Sequence, residues 1–568
     1  MFGRVVLSLL STFVKSKRPE KSAPGFEPSD EMWEYVGMDE YHDLSFDAPE
    51  LSGALVAART RAALKQDSDA AGATNPAATD NPAGMASGNS RAPVTVPRYD
   101  RSRLTGGITH LGVGGFHRAH LAAYVHDLAQ SGVGSWSITG SGVMKHDENI
   151  ASVLTKQDGL YLLAEREGDP YTGHVDAQII GSITRFLPAA IDPLPLFANL
   201  CDPETKIVSL TITEGGYPVE HGAFVGDDAL AADVSSSQPR TTFGLLVGAL
   251  DERRKRGLAP FTVLSCDNLP GNGHVASIAV LGAAEFRSAE LRKWIEQHGA
   301  FPNAMVDRIT PATTDADRAW VQRTFGLTDA WPVVCEPFRQ WALEDTFVSG
   351  RPAFEEVGVI MTDDVLPYEH MKLRLLNGSH SGLAYHAALA GFRYVHDAVL
   401  DPRIERFIRQ LMKSEVAPNL IAPVGIDLVD YQDSLVHRFS NPAIADTISR
   451  LCLDGTAKFP TFIVPSLEDQ IRSGGPLDML ALVLAGWCRY LRGVADDGSQ
   501  LALSNDPFLS EATEIAHRSV SNPRAFLAYE RALGPELSKS DRLLDRFSAA
   551  LESLAERGSL ATLEAWCA

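Results

Sequence analysis

The sequence predicts an α/β fold, a Rossmann-type doubly wound N-terminal domain followed by a mostly α-helical C-terminal domain. Three observations carry that prediction. From Ile108 onward, short β-branched apolar runs alternate with amphipathic stretches, the pattern of strand–helix units around a parallel sheet. A glycine cluster, Gly112-Val113-Gly114-Gly115, stands between the first such run and a helical stretch. After about residue 340 the strand-like runs give way to a succession of helical patterns.

Ile108–Leu111 reads as the first strand, followed by the glycine turn and a helix over Phe116–Ala129. Trp136–Thr139 is the second strand. Lys206–Thr213 and Phe261–Ser265 are apolar, β-branched runs suited to a sheet covered on both faces. Helices are expected over Glu369–Leu389, Arg403–Ser414, Pro442–Leu453, Leu477–Gly493, Glu511–His517 and Ser540–Arg557. The implied domains are 94–355 and 356–568, after an N-terminal extension of residues 1–93. That extension opens on a short apolar and basic stretch, Met1–Lys15, with no acid before Glu20. Its tract 66–93, rich in Ala, Asn, Pro and Gly, cannot bury enough apolar surface to offset its ordering entropy. Organelle targeting is the alternative reading of this segment, although no A-x-A cleavage site closely follows its short apolar core.

A chain of 568 residues suffices for two or three domains, each with a full core. The net charge of −21, with Lys and Arg scattered, argues against a nucleic-acid partner, because phosphate binding needs a basic face. No apolar run reaches the ~18–20 residues of a membrane-spanning helix. The six cysteines fall singly, without C-x-x-C or Cys/His clusters, which points to a reducing, cytoplasmic setting and offers no zinc site. Cys266 is expected to be a buried, inert thiol.

The candidate cofactor-binding residues are Gly112, Val113, Gly114, Gly115, Phe116, His117 and Arg118. The first glycine permits a tight turn, the second lets a pyrophosphate approach the backbone, and a helix N-terminus supplies N–H donors. His117 stands where the third glycine of G-x-G-x-x-G would be. An acid after the second strand usually holds the adenosine ribose, and Asp147 is the candidate. Lys145 and His146 beside it suit a 2′-phosphate equally, so the cofactor is NAD or NADP.

The chemistry is carried by Lys372-Leu-Arg-Leu-Leu-Asn377-Gly-Ser-His380. On an α-helix Asn377 and His380 would lie ~140° and ~80° around from Lys372, within one broad face. Joined by Asn268, these groups suit the oxidation of an alcohol. The amine takes the hydroxyl proton, amide N–H donors hold the oxyanion, and the imidazole orients substrate. The amine must then be lowered from ~10.4 by desolvation or nearby positive charge. The same block contains Tyr368-Glu-His-Met-Lys372, a Y-x-x-x-K pair in which Tyr368 would be the acid/base. Its position beyond a complete α/β domain speaks against that. Asp267 is expected to be a helper, Arg374 to lie on another face, and His370, His386 and His396 to have no role.

Seven blocks now point one way: Gly112–His120, Gln157–Tyr161, Thr211–Tyr217, Ser265–Pro270, Phe301–Pro311, Lys372–His380 and Arg438–Ile444. Together they closely resemble the polyol-specific long-chain dehydrogenase/reductase family over residues 94–560. The resemblance implies a Rossmann-type domain and a helical domain with the site between them. It also implies a metal-independent, NAD(P)-linked interconversion of a linear polyol and its ketose, D-mannitol and D-fructose foremost. Lys372 matches the family's general base, Asn268 and Asn377 its oxyanion pair, and His380 its substrate-positioning histidine. Glu369 matches a glutamate associated with proton exit, Asp307 and Arg450 contact remote hydroxyls, and Glu214 joins the cofactor-binding set. A monomer is the default that the resemblance implies. The alternatives are arabinitol, sorbitol or a hexuronate (fructuronate or tagaturonate), the last needing a cation such as Arg450, Arg374 or Lys458. A non-catalytic nucleotide-binding redox sensor is the rival of another class.

Overall fold

Five parallel strands form the floor of the molecule: β1 (Thr105–Leu111), β2 (Trp136–Ser141), β3 (Ile183–Leu187), β4 (Ile207–Leu210) and β5 (Thr262–Ser265). Their order is β3-β2-β1-β4-β5, every neighbour parallel, so the winding reverses between β1 and β4. Ligands of open α/β sheets bind outside the carboxyl ends of the strands at such a reversal. β4 and β5 are buried throughout, as their β-branched composition requires of a sheet covered on both faces. The computed structural model describes residues 91–169 and 173–568. All of them belong to a unit spanning Pro49–Ala568, while a second unit, Met1–Ala48, lies outside the described residues, as does nearly all of the expected N-terminal extension with its targeting alternative.

Several elements depart from the sequence reading for identifiable reasons. The helix expected over Phe116–Ala129 is two, Gly115–Ala119 and Leu121–Gln130, broken at His120, whose φ of −116° and ψ of −93° are not helical. The His120 ring bonds the Gln340 carbonyl at 3.1 Å, which ties the break to another strand. β4 ends at Leu210 rather than Thr213: the Thr211 N–H still reaches Leu111 of β1, but those of Ile212 and Thr213 donate to the Asp267 carboxylate instead of to a strand. The helix expected over Pro442–Leu453 is interrupted by Ala445, at φ 49°, leaving a 3-10 turn Pro442–Ile444 and a short helix Ile448–Leu451.

Three small sheets among the described residues were not anticipated. In one, Ala304–Asp307 pairs antiparallel with Gln340–Glu344, which runs parallel to Ile360–Thr362. It delivers Asp307 to the carboxyl side of the main sheet. The helical half is organised around Asp478–Leu491, buried on nearly every side and packed on Gly378–Leu389 and Asp541–Arg557. Among the described residues no helix is long and apolar enough to cross a membrane.

Candidate active site

A cleft of about 460 Å³ opens where the carboxyl ends of β1, β4 and β5 meet the helical half. One wall is the glycine turn. Gly112 leaves β1 at φ +94°, and a Cβ there would lie 2.0 Å from the Thr211 carbonyl oxygen, so only glycine fits. Thr211 Oγ1 donates to the Gly112 carbonyl at 2.6 Å. Gly114 precedes the short helix without any side-chain cap, and a Cβ on it would meet nothing nearer than 3.9 Å. The space left by the missing side chains, beside uncapped helix N–H groups, fits a dinucleotide pyrophosphate.

The side chains around this turn mostly point away from the cleft. Val113 packs in the core under the sheet. Arg118 is wholly buried, with Nε on the Gly114 carbonyl at 3.2 Å, Nη1 on the Trp331 carbonyl, and its guanidinium over the Tyr161 ring. It braces the turn from below, which corrects the expectation that it meets the cofactor. His117 is buried against His110 with ring centres 3.4 Å apart, and both of its ring nitrogens lack partners. Burial holds its pKa well below the ordinary value, so the ring is neutral. Phe116, His117 and Glu214 line the cleft, whereas Asp147 is not among its lining residues. Asp147 instead accepts the Met144 N–H at 2.9 Å and secures the loop after β2.

The opposite wall is one helical rod, Leu366–Leu389, with a π-helical turn over Lys372–Asn377. The i→i+5 bonding of that turn brings residues five apart back towards the same side, replacing the α-helical spacing expected from sequence. Lys372, Leu376, Asn377 and His380 all line the cleft, together with Asn268 from the turn after β5. Lys372 Nζ donates to Asn268 Oδ1, which leaves the Asn268 amino group free to donate. Asn377 Oδ1 is buried without a partner, so its amide can turn a donor towards a ligand. His380 Nε2 is likewise unpartnered, and its ring lies 4.3 Å from that of Phe439. Burial takes the His380 pKa to about 3, so this ring is a neutral hydrogen-bonding group.

Lys372 is only 7% exposed. Burial lowers its pKa and outweighs the opposing pull of Asp307, while Arg438 adds to the lowering and Glu369 and Glu214 resist it. The net direction is that of an amine shifted towards use as a base. Glu369, one turn earlier, accepts the Gly271 N–H at 2.7 Å, and burial pushes its carboxyl up to about 7. It is buried but not among the cleft-lining residues.

Asp307 stands at the cleft and is gripped by Arg438 at 2.8 and 2.9 Å, while the same guanidinium holds Glu336 at 2.7 and 2.9 Å. Burial works against both acids. Arg438 outweighs it at Asp307, which is held below the usual carboxylate range, but not at Glu336, which is raised. The sequence reading gave Arg438 no role, although it opens the Arg438–Ile444 block, and its partners lie 131 and 102 residues away along the chain. Arg450 lines the cleft and pairs with Asp446. Asp267, taken from sequence as a helper, is a buried carboxylate that accepts from Ile212, Thr213 and Tyr217.

The decoy groups resolve clearly. Tyr368 packs with Met305, Ala342 and Val365, its hydroxyl reaches the Val424 carbonyl, and it does not line the cleft. Arg374 turns away to Ser466 and Asp469. His386 is a core residue bonded to the Leu482 carbonyl. Cys266 reaches the cleft, but burial drives its pKa up, so its thiol stays protonated. Among the described residues no three His, Cys, Asp or Glu side chains come together as metal ligands.

The family model for the mannitol dehydrogenase Rossmann domain matches residues 106–356, and that for the mannitol dehydrogenase C-terminal domain matches 364–555. The mannitol 2-dehydrogenase of Cereibacter sphaeroides is 45% identical over 479 residues, covering 84% of this chain and 99% of that protein. The chain belongs to the mannitol dehydrogenase family. The family's enzyme from Pyrenophora tritici-repentis is 43% identical over 480 residues, covering 83% of each protein. Among solved structures, the Pseudomonas fluorescens mannitol 2-dehydrogenase in ternary complex with NAD and D-mannitol superposes with a TM-score of 0.76. It is 44% identical and covers 84% of this chain and 97% of that one. A D-sorbitol dehydrogenase in substrate-free form also gives a TM-score of 0.76, at 36% identity, covering 83% of this chain and 97% of that one. As a mannitol dehydrogenase family member the protein is an oxidoreductase of polyol CH–OH groups, with NAD or NADP as its cofactor.

Proposed function

We propose that this enzyme interconverts D-mannitol and D-fructose with NAD, using Lys372 as general base and Asn268 and Asn377 as oxyanion donors. The observation that carries the reading is a buried lysine, hydrogen-bonded to one asparagine amide and one π turn from another, facing a glycine cradle across the cleft. The nicotinamide, when bound, accepts the hydride from the carbinol carbon. Gly112–Phe116 hold the cofactor by backbone, and His117 and Glu214 contribute from the floor and rim of the cleft.

Lys372 takes the hydroxyl proton, and the two amides donate to the oxygen as negative charge develops on it. Neutral His380 orients the substrate by a hydrogen bond. The remaining lone pairs of Asp307 accept from a more remote hydroxyl, with Arg450 as a second contact. Glu369, with its carboxyl near 7, passes the proton from Lys372 towards solvent. The carboxyls of Glu214, Asp267 and Asp307 at the cleft, and the pairing of Arg450 with Asp446, favour a neutral polyol over a uronate. All six cysteines are buried free thiols, which supports a cytoplasmic enzyme, and we take it to be a monomer.

A spectrophotometric screen of mannitol, sorbitol, arabinitol, fructose and the hexuronates with NAD and NADP tests this. Mannitol with NAD should give the highest kcat/KM. A higher value with sorbitol or a uronate would replace the substrate, and no turnover with any of them would favour a nucleotide-binding sensor.

A further inference from the structure

The loop after β4, residues 211–217, lines the cleft with Thr211, Thr213 and Glu214 and adopts a conformation its sequence disfavours. Thr213 lies at φ 64° and ψ 165°, a region that is essentially glycine's own, and a β-branched side chain is poorly suited to it. One carboxylate holds it there. The Thr213 N–H donates to Asp267 Oδ1 at 2.8 Å, and the Ile212 N–H to Oδ2 at 3.1 Å. The Tyr217 hydroxyl donates to Oδ2 at 2.6 Å.

Both ends of this arrangement reach the chemistry. Thr211 grips the glycine turn through the Gly112 carbonyl at 2.6 Å. Asp267 is covalently followed by Asn268, whose amide oxygen receives Lys372 Nζ. The Asp267 carbonyl is itself anchored by Asn272 Nδ2 at 3.1 Å, and Asn272 Nδ2 also bonds the Ala304 carbonyl at 2.6 Å. The loop is therefore a strut between the cofactor turn and the Asn268–Lys372 pair, and Asp267 is its clamp.

We infer that Asp267 is a positioning residue that, by holding Thr213 in its strained conformation, sets the spacing between the nucleotide turn and Asn268–Lys372. The inference rests on the roles proposed above for Asn268 and Lys372. A misplacement of about 1 Å between reacting groups can cost ~10²-fold in rate, so a slack strut should be visible in turnover.

The experiment is a double-mutant cycle of Asp267→Asn and Thr213→Gly in the full-length enzyme with mannitol and NAD. Asp267→Asn should lower kcat by roughly tenfold or more, with the melting temperature and NADH affinity held close to wild type. Glycine takes φ 64° without strain, so the same change should cost several-fold less in the Thr213→Gly background. A merely structural or directly chemical role would give the same loss in both backgrounds. That result, or an Asp267→Asn kcat within twofold of wild type, overturns the inference. If Asp267→Asn fails to fold, Tyr217→Phe removes one bond to the clamp and replaces it in the cycle. Its loss should again shrink beside Thr213→Gly, and equal losses again overturn the inference. Absence of polyol turnover in the wild type, or full activity in Lys372→Ala, would sink the functional reading instead.

Discussion

The two walls of the cleft hold their ligands by opposite means. The nucleotide wall works through backbone and missing atoms. Gly112 has no room for a Cβ, Val113 and Arg118 turn inward, and His117 lies flat beneath the turn. The proton-handling wall works through side chains, four of which project from one rod with a π turn in it. Those side chains are buttressed by ion pairs that cross between the sheet half and the helical half, as with Arg438 on Asp307 and Glu336. Such a difference has a consequence. The first wall is damaged by adding atoms and the second by removing them.

Lys372→Ala should show this most strongly. The change takes away the base and should lower kcat by roughly 10⁴-fold, the upper end for general acid–base catalysis. Cofactor affinity, measured by NADH fluorescence titration, should stay near wild type, because the nucleotide wall is untouched. Equal loss of affinity would make Lys372 structural. Wild-type oxidation should also rise with pH as the lysine deprotonates, through a pKa below the ordinary lysine value. A flat profile from about pH 6 to 10 would count against that role.

Asn268→Ala and Asn377→Ala come next, each costing roughly 10²–10³ in kcat if their amides hold the oxyanion. Losses confined to KM would assign them to ground-state binding instead. On the other wall the informative change adds one methyl group. Gly112→Ala forces a Cβ to within 2.0 Å of the Thr211 oxygen at a positive φ. It should weaken NADH binding by about tenfold or more. Retained affinity would mean that the turn is not the cradle.

The same contrast explains what could be read from sequence. The sheet was legible because strands buried on both faces must be apolar and β-branched, as β4 and β5 are. The Lys372–His380 block was legible because an amine, a carboxamide and an imidazole fall together within nine residues and match the block that the family resemblance rests on most. Its π turn was not, since nothing in Leu373-Arg374-Leu375-Leu376 prefers i→i+5 bonding, and the choice falls to tertiary packing. Motif position located Arg118 and Asp147 but could not tell which way their side chains point. Arg438 escaped because its meaning lies wholly in Asp307 and Glu336, two acids far away in the chain.

Glu369→Gln probes the link between Lys372 and solvent. Because Glu369 does not line the cleft, its loss should cost less than the ~10²-fold of a group acting directly on substrate. Its carboxyl, raised by burial to about 7, is charged above that pH and neutral below it. Any inflection near pH 7 in wild-type oxidation should therefore vanish in the glutamine variant, while the lysine-dependent rise at higher pH remains. Persistence of that inflection would assign it to another group.

The smallest effect is expected at Tyr368, and it decides between two readings of one block. In a Y-x-x-x-K enzyme the phenol is the acid/base and the lysine only assists it. Here the phenol is buried among Met305, Ala342 and Val365, and its hydroxyl points to the Val424 carbonyl at 3.5 Å. Burial raises its pKa, the wrong direction for a base near neutrality. Removing that hydroxyl forfeits at most one long hydrogen bond, worth about 1 kcal/mol or less of stability. Tyr368→Phe should keep kcat within about threefold of wild type, since it touches neither wall. If it instead abolished turnover while Lys372→Ala left most of it, the base would be the tyrosine. The π turn would then present an assistant rather than the group that takes the proton.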